Sequence, residues 1–230
     1  MPLTLLAQIV LSELPPPSAV GLPQHGVLLF FYDMLNAPWG FDPTDRGAAQ
    51  AIYLPDESSP RPLHPKPASL ERVDRPPAQL QFTEEWTIQD FEPGAQPGID
   101  VHKVSPAQFS LKKQSSPKAI TPYDQLLREL YGPQKRIHRI GGHPQTIQGD
   151  MTLGLQMVTN GIPCGNPAAY QDPRVPALKA GAGDWRLLLQ LDSDDARWSW
   201  GDLGRLYFWI RRDDLANRNF DRIWCGLQCS

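Results

Sequence analysis

Four carboxylates lie within eleven residues in the segment LDSDDARWSWGDLG, which separates two apolar runs. They are Asp192, Asp194, Asp195 and Asp202. Hard cations such as Ca²⁺ bind clusters of oxygen ligands. The spacing nevertheless lacks the glycine at position six of an EF-hand loop, and Trp198 falls near an expected ligand position. We therefore predict a structural loop that binds no metal, in which Asp192 and Ser193 form a turn and Trp198 and Trp200 pack it down.

A second segment, HRIGGHPQTIQGD, combines nitrogen and oxygen side chains with two consecutive glycines. Its polar residues are His138, His143, Gln145, Gln148 and Asp150. Gly141–Gly142 is able to form a backbone nest for an anion, but no helix is predicted after it to complete a phosphate loop. A histidine in a turn is more often a hydrogen-bonding surface residue than a catalytic one. If this segment and the aspartate loop lie side by side, the two line one ligand cleft.

The third segment, YDMLNAPWGFDPTDRG, mixes aromatic, acidic and basic residues, namely Tyr32, Asp33, Trp39, Asp42, Asp45 and Arg46. Asp42–Pro43 and Asp45–Arg46–Gly47 are typical of turns. Trp, Tyr and Arg are also the usual anchors of protein interfaces. The sequence supports a turn and a recognition surface equally.

Common catalytic signatures are absent. The sequence contains no GxSxG, GxGxxG or GxxxxGK[ST] motif, and Cys164 in GIPCGN has no histidine at a fixed spacing. CGLQC, which holds Cys225 and Cys229, is not a CxxC redox motif. We therefore assign no catalytic residue and expect no cofactor.

Charge and hydropathy narrow the class of protein further. The formal net charge of −3 argues against nucleic-acid binding, which needs a basic surplus on one face. No apolar run approaches the roughly 18 residues of a membrane span. The first residues, MPLTLLAQIVLSEL, lack the basic region and cleavage site of a signal peptide. We expect a cytoplasmic protein with reduced cysteines and neither nucleic-acid nor membrane partners.

The elements that position these loops occur twice. LTLLAQI with GVLLFFYD resembles WRLLLQLD with GRLYFWIR, and each first run carries one glutamine, Gln8 or Gln190. A third run follows each pair, AAQAIYL at 48–54 and RIWCGLQC at 222–229. Continuous apolar runs of this length predict strands buried on both faces. The self-similarity predicts an internal duplication.

Other segments complete the predicted architecture. Ten prolines in 55–106 indicate loops. Thr121, Pro122 and Gly132 delimit a helix with an apolar stripe, and a short helix is expected over 212–219. Alternation from Met151 to Val158 favours a strand. The sequence thus predicts an α+β, strand-dominated single domain over 1–230, with few short helices and long Pro-rich loops. Its parts are a repeat at 1–54, a Pro-rich insertion at 55–120 and a second repeat at 121–230, each repeat a three- to four-stranded unit.

Several segments together resemble the YwqG-like family, bacterial proteins of unknown function. They are LLAQI…GVLLFFYD, WGFDPTDRG, IGGHPQTIQGDM, LLLQLDSDD…WGDLGRLYFWIRRDDL and RIWCGLQC. The resemblance covers nearly the whole chain and implies one α+β domain with an internal duplication. Some members are similar to proteins encoded near bacterial toxin genes, and this association implies an immunity role. Members usually carry a Gly-Gly-x-Pro segment ahead of the LAQI strand, so the resemblance implies a truncated or divergent form here.

Two functional hypotheses follow. The first is a binding protein that neutralises a basic, toxin-like protein partner, because a mildly acidic surface favours association with a basic one. The second is a small-molecule-binding or enzymatic domain that uses the Asp192–Asp202 loop and the His143 loop. Because the first repeat has no counterpart to IGGHPQTIQGDM, the strand near Leu3–Val10 is expected to have an unpaired edge. The insertion, a second protomer or a partner strand would cover that edge.

Overall fold

The computed structural model describes residues 2–15, 21–58, 67–73, 75–85, 87, 138–194 and 198–229. The predicted helix that begins at Thr121 lies outside these residues. The strands are β1 (Thr4–Val10), β2 (Val27–Tyr32), β3 (Ala49–Leu54), β4 (Arg139–Ile140), β5 (Trp185–Asp192), β6 (Arg205–Arg211) and β7 (Trp224–Gln228). The α-helices are α1 (Thr152–Thr159), α2 (Val175–Leu178) and α3 (Arg212–Ala216). Short 3₁₀ helices span Leu11–Glu13, Pro43–Asp45, Ala68–Val73, Pro167–Gln171, Lys179–Asp184 and Phe220–Arg222.

The strands form two antiparallel sheets. Sheet A has the order β1-β2-β3, and sheet B has the order β4-β5-β6-β7. The six apolar runs of the sequence supply β1 to β3 and β5 to β7, as predicted, and the helix expected over 212–219 is α3. The predicted α+β, strand-dominated class is therefore confirmed. No helix within the described ranges is long and apolar enough to cross a bilayer.

The three strands of sheet A correspond to β5, β6 and β7 of sheet B. Both sets are antiparallel, have the same strand order, and have one register shift between their first two strands. Gln8 pairs with Leu29 on β2, and Gln190 pairs with Tyr207 on β6. The β1–β2 register shifts at Leu6, and the β5–β6 register shifts at Leu188, two residues before the glutamine in each case. A bulge inserts one extra residue and re-aims the strand. The two sheets are thus geometrically equivalent, while their origin in one duplicated unit stays a prediction.

A glycine at the start of the second strand is common to both sheets. A Cβ on Gly26 would lie 2.6 Å from the carbonyl oxygen of Leu54, and one on Gly204 would lie 2.2 Å from that of Gln228. Leu54 and Gln228 occupy matching register positions on β3 and β7. The repeated glycine of the sequence is therefore required because each second strand starts against the backbone of the third.

The core lies between the two sheets. One buried cluster contains the inward residues of both sheets, and it includes Leu28, Phe30, Leu206 and Phe208. Phe30 and Phe208 hold matching positions and meet edge to face, with ring centroids 5.2 Å apart. Such a pair adds about 1 kcal/mol to the free energy of area burial. Equivalent residues therefore meet at the centre of the molecule.

The outer faces of the two sheets differ. On sheet B, α1 packs against Trp185, Leu187, Tyr207, Trp209 and Trp224 through Met151, Leu155 and Val158. On sheet A, Leu5 is 48% exposed and Ile52 is 40% exposed. The prediction that the apolar runs are buried on both faces is therefore correct for β5 to β7 and wrong for β1 and β3.

The strand predicted from Met151 to Val158 is wrong, because Met151 is the N-cap of α1 and the residues after it form that helix. The apolar residues of this segment lie on two sides of that helix. Met151, Leu155 and Val158 face sheet B, while Met157 packs with Ile162 and Val175 in a separate cluster. A helix buried on two sides lacks one clear apolar stripe, so its sequence imitates the alternation of a strand.

Candidate functional site

A cleft of about 1730 Å³ opens between the edges of the two sheets. All of β1 lines it on one side, and β4 with Leu189 and Leu191 of β5 lines it on the other. The segment 75–85 and Thr87 complete the wall, together with Asp194 and Trp198. β3 and β7 of the two sheets are in contact, whereas β1 and β4 both line the cleft.

The described part of the cleft wall carries more acidic than basic groups. Four carboxylates, those of Glu13, Glu84, Glu85 and Asp194, face two guanidinium groups. Of these two, Arg139 is 5% exposed and forms an ion pair with Glu85. A buried charge requires such a partner. Of the remaining groups in the described wall, Glu13, Glu84 and Arg75 are exposed and Asp194 is buried, so the exposed rim carries one more acidic than basic group.

Edge strand β1 forms one margin of this cleft. Within the described residues β1 pairs only with β2. Residues 75–85 line the same cleft but form no strand alongside it. The unpaired edge predicted near Leu3–Val10 is thus present in the part of the chain that the structure describes.

The turn at His143 is built by its neighbours. Gly141 and Gly142 have φ values of 64° and 68°, in the left-handed region that favours glycine. The His143 N–H donates to Thr87 Oγ1 at 3.0 Å, and a Cβ on Gly142 would lie 2.6 Å from the same oxygen. Arg139 donates to the His143 carbonyl. The turn is therefore fixed against the cleft wall, and His143 lines the cleft.

Two buried glutamines hold the segment that follows this turn. Gln190 Oε1 accepts the Gln145 N–H at 2.9 Å. Gln228 Oε1 accepts the N–H groups of Ile147 and Gln148 at 2.8 and 3.1 Å, and its Nε2 donates to the Gly149 carbonyl at 3.0 Å. A buried side-chain amide is stable in an apolar strand because backbone groups satisfy it. These glutamines fasten the segment to sheet B.

The next residue of this segment, Asp150, is committed to α1. Its carboxylate accepts the Thr152 N–H at 3.3 Å and the Thr152 hydroxyl at 2.6 Å, from a position one residue before Met151, the N-cap of α1. Gln148 and Asp150 do not line the cleft. The Gln148 N–H is therefore bound by Gln228, and the Asp150 carboxylate is bound by Thr152.

Internal contacts also account for much of the aspartate loop. The Asp192 Oδ2 lies 3.1 Å from Arg205 Nε, and both side chains are largely buried. Ser193 donates to the Gly204 carbonyl and accepts the Trp200 N–H. Trp198 donates its ring N–H to the Asp192 carbonyl. These bonds agree with the predicted structural loop.

Within this loop, Trp200 is 2% exposed and packs edge to face on Tyr32 at 5.9 Å. Asp194 is buried and lines the cleft, while Asp202 is exposed in the following turn. Asp195 lies outside the described residues. Among the residues that the structure describes, no group of three His, Cys, Asp or Glu side chains is arranged to hold a metal ion.

The loop that follows β2 joins the two sheets. Asp42 accepts the Thr44 N–H at 2.9 Å, and hydrogen bonds from Thr44 lower the pKa of its carboxyl. Asp45 accepts the Gly40 N–H at 2.9 Å. The Gly40 carbonyl accepts the ring N–H of Trp224 at 2.9 Å, which anchors the loop on β7. Both aspartates therefore accept backbone N–H groups of their own loop, as turn residues do.

Two residues of the same loop remain accessible to different degrees. Trp39 is 42% exposed, although its carbonyl accepts the Leu227 N–H. The Arg46 guanidinium lies over the Trp224 ring, 5.6 Å from its centroid. Neither residue lines the cleft. Trp39 therefore belongs to a separate surface from that of His143.

Cys164 and Cys225 are poor nucleophiles. Burial raises the pKa of the Cys164 thiol to about 11. Burial also raises the pKa of Cys225 well above its ordinary value. The thiolate is the reactive form, so both residues are unreactive at neutral pH.

A family model described as "Domain of unknown function (DUF1963)" matches residues 1–229. The chain belongs to the DUF1963 family. The DUF1963 match spans both sheets and therefore contains the whole cleft. No curated protein matches the chain.

Within this DUF1963 fold, the structure brings only part of the predicted set together. His143 and Asp194 line the cleft, whereas Gln148, Asp192 and Asp202 do not. Sequence reasoning missed Arg139 and Gln228, which organise the cleft wall and its turn. A single amide in an otherwise apolar strand was the available signal for Gln228, because a buried amide needs a backbone partner.

Proposed function

We propose that this protein is a cytoplasmic, YwqG-like binding protein that holds a segment of a basic protein partner in the cleft between its sheets. The observation that carries this proposal is the cleft of about 1730 Å³ beside the open edge of β1. Small-molecule sites usually enclose about 300 to 1,000 Å³. A volume above that range, bordered by a strand that has one free edge among the described residues, suits a polypeptide better than a metabolite.

Charge supports a basic partner. The exposed part of the described cleft wall includes the carboxylates of Glu13 and Glu84 and one guanidinium, that of Arg75, while Arg139 is neutralised by Glu85. An acidic rim attracts a basic segment and raises its rate of association, an effect that salt screens. A toxin-like protein, as the YwqG-like resemblance implies, is a partner of this chemistry.

The alternative, a small-molecule or enzymatic site formed by the Asp192–Asp202 and His143 loops, has less support. It requires Asp192, but that carboxylate already forms an ion pair with Arg205. It also has no ready nucleophile in Cys164, because burial raises the pKa of that thiol to about 11. We therefore retain the binding protein as the proposed function.

Site-specific photo-crosslinking tests the proposal. A photoreactive amino acid placed at Leu6, inside the cleft, should crosslink a basic protein in cells of the native host. The same amino acid at the exposed Asn217 on the far side should not. The crosslinked protein, once purified, should bind the unmodified chain at a rate that falls as salt increases.

A charge reversal provides the matched control. Glu84→Lys in the cleft wall should slow association several-fold, whereas Asp221→Lys, which is exposed outside the cleft, should not. Crosslinking that is equal at both positions, or association that is insensitive to both Glu84→Lys and salt, would contradict the proposed function.

A further inference from the structure

Sheet B shows how this fold completes an edge. Arg139 and Ile140 pair antiparallel with Gln190 and Leu189. The Gly141 N–H then donates to the carbonyl of the bulged residue, Leu188, at 3.1 Å. After the glycine turn the chain crosses the outer face, where Gln190 accepts the Gln145 N–H. One strand edge, one bulge carbonyl and one glutamine amide therefore hold this segment.

Sheet A presents the same three features without a paired strand among the described residues. Leu6 occupies the bulge position, and Ala7 and Gln8 occupy the positions of Leu189 and Gln190. Gln190 is 0% exposed beneath its segment, whereas Gln8 is exposed. The geometry that binds an extended segment in sheet B is thus preserved at β1, with its glutamine facing solvent.

We infer that β1 is a strand-addition site. An extended, basic segment of the partner pairs antiparallel with β1, its N–H donates to the Leu6 carbonyl, and Gln8 accepts a further N–H after a tight turn. This inference rests on the proposed function and names its binding mode. Backbone pairing supplies the affinity of such additions, and side-chain pockets supply their specificity.

Charge complementarity identifies the occupant. In sheet B the residue paired with the glutamine is Arg139, whose guanidinium is bound by Glu85. β1 borders the same cleft, whose exposed described lining carries two carboxylates, Glu13 and Glu84, and one guanidinium, Arg75. A basic residue paired with Gln8 therefore meets an acidic rim, which favours a basic segment over an acidic or apolar one.

The outer face of sheet A adds a second requirement. Leu5 on β1 is exposed, and so is Ile52 on β3, which is separated from Gln8 by Leu29 of β2, so the part of the segment beyond the turn would meet an apolar surface. In sheet B the residue that matches Ile52 is Gly226. The Met151 side chain packs where Gly226 has no side chain, since a Cβ on Gly226 would lie 3.7 Å from the Met151 Sδ. A partner residue at the place of Met151 must therefore be smaller than methionine.

A peptide titration tests the inference. The probe is an acetylated and amidated peptide with the sequence of residues 138–148, HRIGGHPQTIQ, added to the whole protein. We expect it to bind, and to slow hydrogen exchange at β1 amides. Gln8→Ala should weaken its affinity about five-fold, the value of one hydrogen bond. Gln50→Ala, which is exposed on β3, should leave the affinity unchanged.

Peptide and protein controls define the opposite results. A probe with Pro in place of Gly141 lacks the N–H that pairs with the bulge carbonyl and cannot adopt the φ of 64° of that turn, so its affinity should fall by more than the five-fold expected of Gln8→Ala. Absence of binding up to millimolar peptide, or equal affinity for Gln8→Ala, would overturn strand addition. A gain in affinity on Gln190→Ala would also overturn it, since the peptide would then be replacing the chain's own segment. Light scattering that shows β1-dependent dimers without bound peptide would assign the edge to a second copy instead.

Crosslinking at Leu6 distinguishes a failure of strand addition from a failure of the proposed function. If the native partner crosslinks at Leu6 equally in the wild type and in Gln8→Ala, the partner occupies the cleft without adding a strand. If nothing crosslinks at Leu6, the proposed function itself fails.

Discussion

Removing the Gln228 amide tests whether side-chain amides position the cleft turn. The change is Gln228→Met, which keeps the length and volume of a side chain that is 4% exposed. It removes three hydrogen bonds, to the N–H groups of Ile147 and Gln148 and to the carbonyl of Gly149.

The magnitude follows from those bonds. At about 1 kcal/mol each, three hydrogen bonds contribute about 3 kcal/mol to the free energy of unfolding. Gln148 is exposed, so its N–H regains water and recovers about 1 kcal/mol of that loss. The expected destabilisation is therefore about 2 kcal/mol, or roughly a 4 to 8 °C fall in Tm for a chain of this size.

Chemical denaturation and hydrogen exchange measure the effect together. The urea midpoint of Gln228→Met should fall, and the amides of Ile147 and Gln148 should exchange faster than in the wild type. Gln50→Met on the exposed face of β3 is the matched control, with an expected change within about 0.5 kcal/mol. A loss below about 0.5 kcal/mol for Gln228→Met, with exchange unchanged at both amides, would refute the reasoning.

Three further predictions address the other loops. Gly40→Ala should destabilise the protein by more than about 3 kcal/mol in urea, because its φ is +78° and its Cβ would lie 2.0 Å from the Cys225 carbonyl oxygen. Gly47→Ala, with φ +86° and open space around it, should cost only about 1 kcal/mol, and equal losses would contradict this account. Asp192→Ala should cost about 3 kcal/mol by leaving Arg205 without its buried partner, and a loss below 1 kcal/mol would count against the structural interpretation. The rate of Cys164 alkylation should be low at pH 8 and rise towards pH 11. The free energy of unfolding should fall as pH rises over this range, because the thiol ionises at lower pH in the unfolded chain than in the folded one. Fast alkylation at pH 7 would show that the thiol is not buried.

The sequence alone predicted the strands well because their signal is local. Six apolar runs bounded by polar loops and glycines became six strands, and the matching positions of Gln8 and Gln190 were visible in the repeat. α1 was mispredicted because it is buried on two sides, so its apolar residues do not follow a single helical stripe. That ambiguity is inherent in short apolar segments.

The cleft was harder to predict than the strands. Its position depends on how two sheets diverge, which no local pattern encodes. Asp42 and Asp45 were correctly considered as turn residues, since their partners lie within five positions. The ion pair of Arg139 with Glu85 joins residues that are 54 positions apart, so periodicity could not reveal it.

Hydrogen exchange of the protein with its crosslinked basic partner tests the central claim most directly. The claim predicts that partner binding slows exchange at the β1 amides, Thr4–Val10, and leaves the β6 amides unchanged because these already lie between two paired strands. Slowing confined to the surface around Trp39, with β1 unaffected, would place the partner outside the cleft and contradict the account.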